Sequence, residues 1–172
     1  MSSSHHPALA LSRTVLRVGI VLNLLFAACV AALLAASLLA ETWVAAALGA
    51  DPSSPGLILG MRLIMVIGLG SVPFAHVALT RLLAIVETVG LGDAFVADNG
   101  ARLQTIAWAL LGLELLHLAV GAVAALASSP GAPLEIGWSF SFTGWLAVLL
   151  LFVLAQVFGQ GARMRDDLEG TV

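Results

Sequence analysis

Long uncharged apolar stretches constrain this chain more than any other feature of its sequence. Four stretches carry at most one charged residue: 18–40, 63–80, 103–134, which contains Glu114, and 136–162. Each can supply the ~20 residues that an α-helix needs to cross about 30 Å of hydrocarbon. Because only helices and closed barrels satisfy the backbone there, and unbroken apolar runs favour helix, the pattern predicts four transmembrane helices.

The composition excludes the common soluble classes. Charged residues make up 10% of the 172 residues, whereas a soluble domain has about 25%. Hydrophobic residues make up 60%, and with the 17 Gly about 70%, whereas a soluble domain has about 45–50% on the same count. The seven basic residues are all Arg, and the formal net charge is −3. An ordinary soluble enzyme, a disordered chain and a direct nucleic-acid binder are therefore not expected.

Turn-forming clusters separate the predicted helices. Residues 51–56 read Asp-Pro-Ser-Ser-Pro-Gly, and residues 128–133 read Ser-Ser-Pro-Gly-Ala-Pro. The chain is predicted to be an all-α integral membrane protein, an up-down bundle of four transmembrane helices in a single domain of residues 12–172. Residues 1–11 are expected to be a flexible segment. The predicted spans are approximately 14–40, 57–89, 99–127 and 139–163.

The arginines predict the orientation. Six of the seven lie at one end of the predicted helices, and Arg62 alone lies near the other end; the six are Arg13, Arg17, Arg81, Arg102, Arg163 and Arg165. Cytoplasmic loops carry the excess of basic residues, so both termini are expected in the cytoplasm.

Polar residues inside the spans are the candidate ligand cluster, because burying them in a membrane is costly. They are Asn23, His76, Glu114, His117 and Gln156. Counted from the ends of their helices, His76 and Glu114 are expected at the same depth, and His117 lies one turn from Glu114.

The Glu-x-x-His spacing of Glu114 and His117 is the one that helical bundles use in carboxylate metal sites. With His76 it makes two imidazoles and one carboxylate, which suit a divalent metal such as zinc or iron. Such a site makes a membrane protein or carrier that binds a metal or a small ligand a candidate function. Interhelical hydrogen bonding and a proton-linked or ligand-sensing cluster explain the same residues, and these alternatives stay open.

Gly68, Gly70 and Pro73 make the second helix irregular. Pro73 cannot donate to the carbonyl of Leu69 and is expected to bend the helix, either as a structural kink or as a hinge. Small residues recur at four-residue spacing in several spans, including 155 and 159. They favour close helix packing within the chain, or a homodimer face.

No catalytic motif is present. The chain has no Gly-x-Ser-x-Gly, Walker loop, His-Glu-x-x-His or Cys-x-x-Cys sequence. The protein is therefore expected not to be an enzyme.

Two segments resemble the bacterial family called domain of unknown function 2975. The first reads Gly-Asp-Ala-Phe-Val-Ala-Asp-Asn-Gly-Ala-Arg-Leu over 92–103, followed by Ile-Ala-Trp at 106–108 and Leu-Leu-Gly-Leu-Glu at 110–114. The second covers 144–155, Val-Phe at 157–158, and Gly-Ala-Arg-Met-Arg-Asp-Asp-Leu-Glu-Gly-Thr-Val at 161–172. The resemblance covers most of residues 10–172 and is strongest in the second half.

The resemblance implies a four-helix protein of the bacterial inner membrane with no established activity. Members of that family are often encoded beside a small Xre-type helix-turn-helix repressor, so it implies a sensing or regulatory partner of such a repressor. The candidate docking residues are Asp93, Asp98, Asn99, Arg102, Arg163, Arg165, Asp166 and Asp167. The alternative is a solvated charged end that only fixes the topology.

Overall fold

Four long helices make up the described structure. The computed structural model describes residues 7–40, 55–91, 96–128 and 137–169. The helices are α1 (Pro7–Leu39), α2 (Pro55–Gly90), α3 (Ala97–Ala127) and α4 (Phe142–Glu169). All four are long and apolar enough to cross a membrane. The prediction of an all-α chain with four apolar helices packed up and down is confirmed.

The helices pack in chain order rather than around a closed ring. α1 packs on α2, α2 on α3, and α3 on α4, and no other pair of the described helices makes more than a marginal contact. The predicted bundle is therefore an open row in the described residues. Because few residues are enclosed, most large apolar side chains of α1 stay exposed, as expected of helices whose solvent is lipid.

Small residues set the closest helix contacts. A Cβ added to Gly100 of α3 would lie 3.2 Å from the backbone nitrogen of Gly159 and 3.4 Å from the carbonyl oxygen of Ala155, both on α4. One added to Gly60 of α2 would overlap the Cβ of Ala127 of α3. The small residues at 155 and 159 thus pack within the chain, as small-xxx-small motifs do in membranes.

The observed ends of the helices differ from the ends of the predicted spans by up to seven residues. α1 begins at Pro7, so residues 7–11 of the expected flexible segment are helical, and α4 begins at Phe142 rather than at 139. The N-cap of α3 is Val96, which makes no side-chain hydrogen bond, and the side chain of Asn99 bonds Thr88 of α2.

Pro73 lies within a continuous α2. The amide of Asn23 on α1 donates to the carbonyl oxygen of Val72 at 3.1 Å, directly before the proline. The hydroxyl of Ser71 donates to the carbonyl oxygen of Gly68 at 2.7 Å. Polar side chains thus bond backbone carbonyls near the proline, on either side of the Leu69 carbonyl that the proline leaves without its helical donor. The hinge stays a prediction.

Candidate functional site: a carboxylate between two membrane helices

Glu114 of α3 packs directly against α4. A Cβ on Gly144 would overlap the Oε1 atom of Glu114, so the carboxylate occupies the space that a side chain at 144 would need. The hydroxyl of Ser141 lies on the same turn and accepts a hydrogen bond from the backbone N–H of Gly144 at 3.1 Å. In the described part of the chain, the buried Oε2 of Glu114 has no hydrogen-bond partner.

His117 lies one turn from Glu114 and meets the segment that leads into α4. Its Nε2 is 2.9 Å from the carbonyl oxygen of Ser139. Its ring stacks on the indole of Trp138, with centroids 5.6 Å apart, and the indole N–H donates to the His117 carbonyl at 2.9 Å. We call Glu114, His117, Trp138, Ser141 and Trp145 the α3–α4 polar cluster. Trp145 belongs to it because it follows Gly144, and its buried indole nitrogen has no partner among the described residues.

His76 does not join this cluster. Val72 and Leu79 of α2 both meet α1, through the Asn23 hydrogen bond and through Gly19, and His76 lies on the same face of α2. Phe74, two residues away and therefore on the other side of the helix, meets α3 at Gly112.

The contacts between α2 and α3 also indicate the relative depth of His76 and Glu114. α2 and α3 meet at Thr88 with Asn99 and at Phe74 with Gly112, so the residue numbers of opposed positions add to about 186 or 187. This register sets Glu114 opposite the Val72 region, about one turn, or ~5 Å, from His76. The offset arises because Asn99 meets Thr88 rather than the end of α2.

The three candidate metal ligands are accordingly not brought together. Among residues 7–40, 55–91, 96–128 and 137–169, no group of three or more His, Cys, Asp and Glu is placed to hold a metal ion. Glu114 and His117 share the α3–α4 interface, whereas His76 lies on the α1 side of α2. The rotation of α2 about its own axis decides this separation, and the spacing of residues along one helix does not predict it.

A second polar group lies where α2 ends and α3 begins. We call this end of the helix row the basic end, because Arg13, Arg17, Arg102 and Arg163 lie there. The fully buried amide of Asn99 donates to the hydroxyl of Thr88 at 2.9 Å, and Arg102 donates to the Oδ1 of Asn99 at 3.0 Å. Arg102 also lies 3.7 Å from Asp98. These four residues, Thr88, Asp98, Asn99 and Arg102, form the basic-end network.

The other predicted docking residues are only partly described. Arg163 and Arg165 are exposed on the last turns of α4. Asp93 and the side chains of Asp166 and Asp167 lie outside the described residues. A further ion pair, Arg17 with Glu87 at 3.9 Å, joins α1 to α2 at the same end. Both side chains are at least half exposed, so this ion pair by itself contributes little to stability.

Arg62, near the other end of the helix row, donates from Nη2 to the carbonyl oxygen of Ser37, and its Nε lies 3.4 Å from the Ser37 hydroxyl. It therefore satisfies a carbonyl group at the end of α1, where no intrahelical partner exists.

Gln156 lies apart from Glu114, in a groove between α3 and α4 nearer to the basic end. Sequence reasoning missed several residues that the structure brings into these sites, namely Thr88, Gln104, Ser141, Gly144 and Trp145. A polar residue three positions before a glycine, as Ser141 is before Gly144, predicts a polar site only weakly, because glycine is common in membrane helices.

The helices and their polar contacts define a class: by helix composition this is a multi-pass membrane protein with a carboxylate held between two of its spans. A family model described as "Protein of unknown function (DUF2975)" matches residues 62–172. The chain therefore belongs to this family, which confirms the resemblance, although the match begins at Arg62 and leaves α1 outside it. The comparisons with curated proteins and with solved structures return no match.

Proposed function

We propose that the chain is a non-enzymatic sensor of the bacterial inner membrane that binds a cytoplasmic helix-turn-helix regulator at its basic end. The observation that carries the proposal is the Glu114 carboxylate, which is packed against Gly144 with its buried Oε2 unpartnered in the described residues. An unpartnered carboxyl oxygen inside a membrane is costly, so a proton, a cation or a hydrogen-bonding solute that reaches it is bound favourably.

The position of Glu114 supports a conformational response. Because Gly144 has no side chain, the carboxylate contacts the α4 backbone directly, and any group bound to Glu114 changes the spacing of α3 and α4. α4 is a continuous helix from Phe142 to Glu169 and packs on α3 alone among the described helices. A displacement at Gly144 therefore reaches Arg163 and Arg165 at the basic end.

The basic end supports docking. The basic-end network fixes the helix ends with buried hydrogen bonds. The exposed carboxylates of Glu87 and Asp98 lie beside Arg17 and Arg102, and the sequence adds an acidic tail at this end with Asp166, Asp167 and Glu169. A regulator that reads DNA carries a basic surface, and acidic groups can attract that surface and compete with DNA. The genomic neighbourhood implied by the family resemblance supplies the candidate partner.

Co-purification tests the proposal. The tagged membrane protein is co-expressed with the helix-turn-helix regulator encoded beside it, and the regulator retained on the purified membrane protein is measured. We expect retention by the wild type, a severalfold change in E114Q, and loss in the double variant E87Q/D98N. T105A is the matched control, because the Thr105 hydroxyl bonds only the Ala101 carbonyl of its own helix. A regulator that stays unbound at micromolar concentrations overturns the proposal.

A further inference from the structure

A groove between α3 and α4 has a graded polarity along its length. Its volume is about 440 Å³, within the ~300–1,000 Å³ range of ligand sites. One wall is a single stripe of α4 at helical spacing, and its members are Phe152, Gln156, Gln160 and Arg163. Gln104 of α3 faces this stripe, and small residues such as Gly100 and Gly159 form the floor. We call this the amide groove.

The polar groups of the amide groove are exposed. Gln104, Gln156 and Gln160 make no hydrogen bond within the described part of the chain, and all three are accessible at the surface of the helix row. An amide within a membrane span that has no hydrogen-bond partner is costly, and three of them on one groove favour an occupant that hydrogen-bonds to them.

The order of the groups matches one class of molecule. Counting from Arg163 at the basic end, Gln160 lies about 5 Å, Gln156 about 10 Å and Phe152 about 16 Å deeper along α4. A glycerophospholipid has the same order: a phosphate at the membrane surface, ester carbonyls beneath it, and then acyl chains. A guanidinium binds phosphate by charge-assisted hydrogen bonds, and amide N–H groups donate to ester carbonyls.

We propose that the amide groove binds one phospholipid, with its phosphate on Arg163, its ester carbonyls on the glutamines and an acyl chain along Phe152. The backbones of α3 and α4 come close together at Gly100 and Gly159, so the lipid covers the outside of this contact and holds α3 and α4 together. This site is separate from the α3–α4 polar cluster and does not depend on the proposed sensing role.

Native mass spectrometry of the full chain in mild detergent, with added phosphatidylglycerol, tests the proposal. We expect one lipid to bind the wild type with saturation. R163Q is expected to weaken binding about tenfold, because a charge-assisted contact is lost. Q156L/Q160L is expected to weaken binding to a similar extent. R81Q is the matched control: it removes an exposed arginine near the same end of α2 that does not line the groove, and its binding should equal that of the wild type.

Three results would overturn the proposal. The first is lipid binding by R163Q equal to that of R81Q. The second is displacement of the lipid by millimolar inorganic phosphate alone, which would make the site one for free anions. The third is a dimer mass without lipid, which would make a second copy of the chain the occupant. Because Arg163 is exposed, R163Q is not expected to impair folding, so the test remains decisive if the glutamine double variant is unstable.

Discussion

The pairing of a glycine with a carboxylate is the most specific residue-level feature of this chain. Gly144 leaves the space that the Glu114 carboxylate occupies between α3 and α4. In a protein whose helices are apolar on all sides, such a pair fixes both the rotation and the register of two helices. A substitution of either residue should therefore change the stability of the protein mainly through its contact with the other residue.

We predict that G144A destabilises the protein, because its methyl group would overlap Glu114. Overpacking of this kind costs about 1–3 kcal/mol. In the double variant E114A/G144A the overlap is absent, so the second substitution should cost much less than it does in the wild type. Thermal unfolding in detergent, followed by tryptophan fluorescence, measures the coupling. Equal costs of G144A in both backgrounds would contradict the proposed contact.

Asn99 is the buried polar side chain of the basic-end network. It is 0% exposed and bonds both Thr88 and Arg102. We predict that N99A lowers the free energy of unfolding by about 1–3 kcal/mol, because the partners lose a buried hydrogen-bond group. T105A, whose hydroxyl bonds only its own helix, should change stability far less. The two variants are compared by the same thermal unfolding assay, and equal effects would argue against an interhelical role for Asn99.

At the scale of helices, Gly60 allows one end of α2 to pack closely on α3. Gly60 faces Ala127, whereas a Cβ on Gly56, one turn earlier, would meet nothing within 4 Å. We predict that G60L separates the two helices and destabilises the protein by about 1–3 kcal/mol, and that G56L does not. The midpoints of thermal unfolding of the two variants check this prediction. A larger effect of G56L than of G60L would contradict the contact between Gly60 and Ala127.

The irregular centre of α2 can be tested by a substitution that adds no clash. A Cβ on Gly70 would meet nothing within 4 Å. G70A should therefore stabilise the helix by about 0.5–1 kcal/mol, because alanine loses less backbone freedom than glycine. If residues 68–73 act as a hinge, E114Q should change the amount of retained regulator less in the G70A background than in the wild type. An unchanged response together with higher stability would identify a structural kink.

At the scale of the whole molecule, the distribution of arginines predicts the orientation. Reporter fusions at the C-terminus test it: green fluorescent protein should fluoresce and alkaline phosphatase should be inactive, because the C-terminus is expected in the cytoplasm. The same fusions made after residue 128 should give the opposite result. An active phosphatase at the C-terminus would show that both termini face outward.

The number and order of the described helices followed from the sequence by itself. The physical reason is local: a charge inside hydrocarbon is costly, so charged and turn-forming residues mark where each span ends. The observed ends of α2 and α3 lie within two residues of the predicted ones. Family membership likewise followed from local motifs, which combine polar and apolar residues at fixed spacing.

Only the tertiary structure decided which polar residues meet. Glu114 and His117 share a face because they lie three residues apart on one helix, and their spacing in the sequence predicted this. The separation of His76 from them, the approach of Gly144 to Glu114, and the lining of the amide groove depend on how each helix is rotated about its axis. Helices that are apolar all round carry almost no pattern to set that rotation, so close contacts at a few small residues set it instead.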